Sequence, residues 1–217
     1  MSTNYSIEFG NETNDTWTLC IYQKFPESPG LESVSWKQTR VPKGGNSALQ
    51  WNINYSACLV NYKQNNSKGV YSASQKLYTD LGKKWSCVFK EGVQQLESDG
   101  TAELGHLVIE NKSLKRADLG IGVDGDLALV QKNVYSANSA QFIAKPKYYA
   151  ALFRNLTKGE VISGNEIHPP IEVVFDGGQT EKKFIAKVEG SKFIFEEVGT
   201  NTRFEAPYDE IKEVLNS

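Results

Sequence analysis

The chain has 217 residues with 24 basic and 26 acidic side chains, a formal net charge of -2, so no excess field draws it to nucleic-acid phosphates or to an anionic membrane. Hydrophobic residues make up 39%, including 10 Phe, 10 Tyr and 4 Trp, which is enough bulk for a sizeable core without metal or disulfide staples. One domain over residues 1–217 is expected, because all-β units often reach about 200–250 residues.

The first residues carry neither a basic leader nor an apolar run of signal-peptide length, and no later stretch approaches the roughly 20 apolar residues of a membrane helix. A cytoplasmic protein without a transmembrane segment is the expectation. Tyr5, Ile7 and Phe9 then alternate with Asn4, Ser6 and Glu8, and Trp17, Leu19 and Ile21 with Thr18, Cys20 and Tyr22. A period of two gives one buried and one wet face, so both read as half-buried strands. Turn-rich pieces at 10–15, 26–30 and 42–45 separate them. The clearest alternation is Leu49, Trp51, Ile53, Tyr55 and Ala57 against Gln50, Asn52, Asn54 and Ser56, read as one strand.

Further along, Trp85–Lys90 and Val93–Glu97 flank Glu91-Gly92, and Leu119–Val123 and Leu127–Gln131 flank Asp124-Gly125-Asp126. Both read as hairpins, since Asp-Gly suits a turn with positive φ. A third hairpin is expected at Asp176-Gly177, between Ile171–Phe175 and Lys183–Glu189, and Gly190 leads into Lys192–Glu196. Tyr208, Ile211 and Leu215 stand at helical spacing behind Pro207, which predicts a short C-terminal helix. The predicted fold class is all-β, an antiparallel β-sandwich with a short C-terminal helix. No internal repeat of fixed period is apparent, and Asn155–Pro170 is read as a long loop rather than a domain boundary.

Several motifs invite a chemical reading. Gly120, Gly122 and Gly125 satisfy GxGxxG, but a dinucleotide loop needs a helix after the glycines and Leu127–Gln131 reads as a returning strand. Asp118, Asp124 and Asp126 offer oxygens to a calcium ion, yet the twelve-residue loop with its terminal Glu is absent, so they read as solvated turn carboxylates. His106 and His168 have no ligand partner nearby in sequence. Cys20, Cys58 and Cys87 are odd in number and widely spaced, and read as reduced, buried thiols. Seven Asn-x-Ser/Thr sequons begin at Asn4, Asn11, Asn14, Asn54, Asn65, Asn111 and Asn155 and read as a by-product of composition. Lys145, Lys147, Tyr148, Tyr149 and Arg154 place basic and aromatic groups together, and read as an ordinary strand with basic entry residues. No residue is assigned a catalytic, cofactor-binding or metal-binding role.

At Trp51–Ser56, Gly69–Gln75, Leu119–Leu127 and Lys145–Tyr149, and again at Lys158–Ile162 and Ile171–Phe175, the sequence resembles the RhiA-like family, named for a rhizosphere-expressed bacterial protein. The resemblance runs in the same order from about Leu19 to Phe195. It implies a soluble, abundant cytoplasmic protein linked in bacteria to density-controlled expression, and it brings no site residue to any position here.

Two roles fit these readings. The first is a non-enzymatic structural or interaction protein that self-assembles into a homo-oligomer through sheet edges or apolar faces. The alternative is a β-sandwich module that binds a carbohydrate or a lipid headgroup through its loops.

Overall fold

The computed structural model describes residues 3–65 and 68–216. Asn66 and Ser67, which complete the sequon at Asn65, lie outside the described residues. The first strands in chain order are β1 (Asn4–Asn11), β2 (Trp17–Lys24), β3 (Glu32–Ser33), β4 (Lys37–Val41), β5 (Asn46–Asn52), β6 (Tyr55–Asn65), β7 (Lys68–Thr79), β8 (Lys83–Lys90) and β9 (Val93–Thr101). They are followed by β10 (His106–Asn111), β11 (Ala117–Val123), β12 (Asp126–Val134), β13 (Ser139–Ile143), β14 (Lys147–Phe153), β15 (Ile171–Val173), β16 (Glu181–Glu189), β17 (Lys192–Glu197) and β18 (Arg203–Pro207), and by helix α1 (Tyr208–Asn216). The protein is an all-β sandwich with one short C-terminal helix, as its alternation and turn chemistry predict.

Among the described residues four sheets form, in the orders β18-β17-β16-β1-β5, β13-β10-β8-β9, β3-β12-β11-β6-β7 and β15-β14-β2-β4. These orders contain a duplication that no fixed period in the sequence announces. Setting β3 aside, β1 to β9 and β10 to β17 follow the same path strand for strand: β17-β16-β1-β5 matches β9-β8-β10-β13, and β15-β14-β2-β4 matches β7-β6-β11-β12. The central pair of every sheet joins the two repeats, so each repeat completes its sheets with strands of the other. Pairing is antiparallel apart from two equivalent central pairs, β1 with β16 and β8 with β10, which are parallel.

The core cluster draws on all four sheets, with Ile7 and Phe9, Leu19 and Ile21, Leu107 and Ile109, and Leu119 and Ile121 all in one set. Trp17, Trp36 and Trp51 are its largest buried members. The expected wet face of β2 is dry: Thr18, Cys20 and Tyr22 are buried as well as Trp17, Leu19 and Ile21. The cause lies far away in sequence. Residues 154–168 cross the outer faces of two sheets, packing Leu156 and Ile162 on Cys20, Tyr22 and Phe153, and Val161 on Val34, Val60 and Tyr71.

That strap is tied by backbone bonds from Val161 N–H to Gly69 (2.9 Å), Tyr71 N–H to Gly159 (2.9 Å) and Ser35 N–H to Glu160 (2.8 Å). The buried Glu160 carboxylate accepts from Thr157 N–H (2.9 Å), Asn165 Nδ2 (2.8 Å) and Lys68 Nζ (3.2 Å), which satisfies a charge that would otherwise be costly to bury.

The hairpins at Glu91-Gly92 and Asp124-Gly125 form as two-residue turns, with φ of 52 and 84° and of 50 and 78°, the signature of type I′. Asp126 belongs to the returning strand. Two expectations are corrected. Leu49–Ala57 is two strands, because the chain bends at Ile53-Asn54 and passes from one sheet to another while its alternation continues unbroken. Asp176-Gly177 does turn, with Gln179 N–H donating to Asp176 at 2.9 Å, but β15 pairs with β14 and β16 with β1 and β17, so no hairpin forms there. Turn residues dictate a reversal and leave the partner unspecified. Helix α1 docks through Ile211, with Tyr208 and Leu215 beside it, and its acidic first turn suits the helix dipole.

Candidate interaction site

Most residues with chemical potential are spent on structure. Gly120 and Gly122 lie within β11, where a β-carbon would stand 2.7 Å from Leu127 Cδ1 and 2.3 Å from Ser56 Oγ respectively, so they serve close packing. Asp124 and Asp126 hold Lys37 Nζ at 2.9 and 2.7 Å, and Lys158 also pairs with Asp126. Burial works to lower the Lys37 ammonium's affinity for its proton, but these carboxylates outweigh it and raise its pKa above the ordinary value. Asp118 lies elsewhere, accepting from Asn133 N–H at 2.7 Å.

His168 is buried against Phe195 and Phe204. Its Nε2 accepts from Leu152 N–H at 3.2 Å while Nδ1 lies 2.7 Å from the Pro169 carbonyl, so the proton sits on Nδ1. Burial lowers its pKa to about 4. His106 is half-buried at the start of β10 and faces Glu103 at 3.9 Å. Cys20, Cys58 and Cys87 are free and buried, and burial pushes the Cys58 thiol up to about 11. In the basic-aromatic segment, Tyr148 enters the core and Tyr149 stacks on Tyr22 at 5.5 Å, with Lys24 Nζ 5.0 Å from its ring.

The duplication points to a different place. After β1, the buried Asn11 donates through Nδ2 to the carbonyls of Asp15 (2.8 Å), Val41 (3.0 Å) and Pro42 (3.0 Å), while its Oδ1 accepts from Thr13 N–H (3.1 Å) and Thr13 Oγ1 (2.8 Å). At the end of β10, Asn111 repeats the arrangement. Its Nδ2 donates to Lys115 (2.6 Å) and Val134 (2.8 Å), and its Oδ1 accepts from Ser113 N–H (3.0 Å) and Ser113 Oγ (2.7 Å). Two of the sequons are therefore buried Asx turns that lock equivalent loops. In the register, Glu12 N–H meets the Ala186 carbonyl and Lys112 N–H the Cys87 carbonyl, both at 2.8 Å.

A family model described as RhiA matches residues 2–197. The chain belongs to the RhiA family. The match spans both repeats and ends before β18 and α1. No curated protein and no solved structure matches the chain.

On this RhiA chain the two equivalent loops are finished differently. The Asn11 loop is capped by α1: Tyr208 donates its N–H to Ser191 at 2.8 Å, in the hairpin beside that loop, and its hydroxyl to Asp15. Burial and then the Asp15 carboxylate push the Tyr208 hydroxyl up to about 12. Among the described residues the Asn111 loop carries no such cap. There Leu114 stands 88% exposed with φ of 60°, a conformation that costs a non-glycine residue energy. Lys115 Nζ lies 4.0 Å from the exposed Phe89 ring and Arg116 Cζ 4.5 Å from the exposed Tyr135 ring. Gln94 braces the loop through Ser113 Oγ at 2.7 Å and the Arg116 carbonyl at 3.1 Å. The outcome is an apolar, cationic surface where the other repeat wears a helix. The sequence does not reveal it because the sequons read as a by-product of composition and because Phe89, Leu114 and Tyr135 are far apart in the chain.

Proposed function

We propose that the protein is a non-catalytic, cytoplasmic interaction protein that self-associates, the uncapped Asn111 loop of one copy receiving the outer face of α1 from the next. The observation that carries the reading is the pairing of two equivalent loops of which only one is covered. Charge complementarity supports a second copy as the occupant. Asp209, Glu210 and Glu213 are exposed on α1 beside a single exposed cation, Lys212, while the open loop offers Lys115 and Arg116. Leu114, Phe89 and Tyr135 supply the apolar centre that such contacts need, with the charges at its rim. A contact between two different surfaces is heterologous and propagates head to tail. Three free, buried thiols suit a reducing compartment.

Sedimentation velocity across a concentration series tests this. The wild type is expected to shift from monomer to larger species, and Leu114→Asp to weaken the association by about tenfold or more. Charge reversal with K115E and R116E should weaken it too, and adding E210K and E213K should restore it. A wild type that stays monomeric throughout, or an unchanged L114D variant with native near-UV dichroism, overturns the reading.

A further inference from the structure

A cleft of about 410 Å³ opens on the outer face of the β3-β12-β11-β6-β7 sheet, its lining including Glu32, Tyr62, Tyr71, Asp118, Lys132 and Asn133. Its volume falls within the range of about 300–1,000 Å³ usual for small-ligand sites. The floor is one fixed aromatic ring. Tyr62, in β6, is 48% exposed, yet its inner side is held on two sides. Its ring lies 5.1 Å from that of Tyr71 at a 54° tilt. It also rests on Gly69, where a β-carbon would stand 2.9 Å from Tyr62 Cε2 and Oη. The ring thus presents an outward face whose orientation is already set, so little rotamer entropy is lost when something stacks on it.

Hydrogen-bonding groups surround that ring. Glu32 accepts from the Tyr71 hydroxyl through Oε2 at 2.6 Å and from Lys132 Nζ through Oε1 at 2.6 Å. Asp118 is oriented by its bond from Asn133 N–H. Lys132 spends one of its three donors on Glu32 and is 53% exposed. Asn133, with φ of 53°, is carried to the rim by a left-handed backbone.

We infer that this cleft binds a neutral pyranose, its C–H face stacked on Tyr62 and its hydroxyls bonded to Asp118, Glu32, Lys132 and Asn133. The axial C–H groups of a sugar ring carry partial positive charge and meet the negative face of an aromatic ring, while its hydroxyls both donate and accept. Two carboxylates against one ammonium disfavour uronic and sialic acids. The cleft shares no lining residue with the surface formed by Phe89, Leu114 and Tyr135, so this inference is tested separately from self-association.

Saturation-transfer NMR on the full chain, with maltotriose, cellotriose and triacetylchitotriose as free probes and vesicles bearing a neutral glycolipid in a separate arm, tests it. Transfer to pyranose C–H protons is expected with at least one probe, and the arm that responds identifies a free or lipid-borne sugar. Tyr62→Ala should weaken that binding by at least about tenfold and Tyr62→Phe should keep it. Gly69→Ala should weaken it by tilting the platform, and Tyr78→Ala, outside the cleft, should leave it unchanged. Silence in every arm, or binding unaltered by Tyr62→Ala, overturns the inference.

Discussion

Gly159 crosses the backbone of Tyr71 so closely that a β-carbon on it would stand 2.1 Å from the Tyr71 carbonyl oxygen, and it does so at a φ of +80°. The strap over residues 154–168 is held down at this crossing, with Tyr71 N–H bonded to the Gly159 carbonyl. Gly159→Ala is therefore expected to cost about 3 kcal/mol or more, summing backbone strain and a clash that only main-chain movement relieves. Gly164 has a similar φ of +85° with nothing within 4 Å, so Gly164→Ala should cost only about 1 kcal/mol. Urea unfolding of the pair separates contact from conformation. Equal losses would show that the crossing bears no load.

Asn11 and Asn111 should respond alike. An aspartate at either site turns a donor into an acceptor facing two or more carbonyls, with an expected loss of about 3 kcal/mol. Asn14, exposed in the same loop as Asn11, should tolerate the change within about 0.5 kcal/mol. Thermal melts of N11D, N111D and N14D decide the matter, and a large difference between the first two would deny the equivalence of the loops.

The buried imidazole of His168 makes stability depend on pH. Its folded pKa of about 4 lies below the ordinary 6.5, so between those values the unfolded chain holds a proton that the folded one does not. Stability is thus full above about pH 6.5 and falls as the pH drops towards 4, by about 3 kcal/mol for this group. Denaturant midpoints measured over that interval should fall less steeply for His168→Gln than for the wild type. Parallel slopes would mean that His168 does not carry the dependence.

What the sequence revealed was local. Alternation in β1, the two type I′ hairpins and the amphipathic end at Tyr208, Ile211 and Leu215 are decided by neighbours a few residues apart, and all formed. Non-local facts stayed hidden. Cys20 and Tyr22 read as a wet face because their cover, Leu156 and Ile162, comes from a strap more than a hundred residues on. The bend at Ile53-Asn54 leaves a period of two intact. The duplication survives in sequence only as short scattered matches, among them Asn-x-Thr at 11 with Asn-x-Ser at 111 and Asn-Ser-Ala at 46 and at 138, because two repeats need the same backbone path and can fill it with different side chains. Tyr62, Glu32, Asp118 and Lys132 meet only once β3, β6, β11 and β12 lie side by side.

The exchange of strands between repeats also sets an order of events during synthesis. Ser6 of β1 meets Glu181 of β16, in the other repeat, so β1 leaves the ribosome long before the strand that closes its sheet on that side. Neither half can be released as a finished unit. Such distant pairing slows folding and leaves an apolar edge open meanwhile, so the nascent chain of this protein has a stronger claim on chaperones than its size alone would suggest.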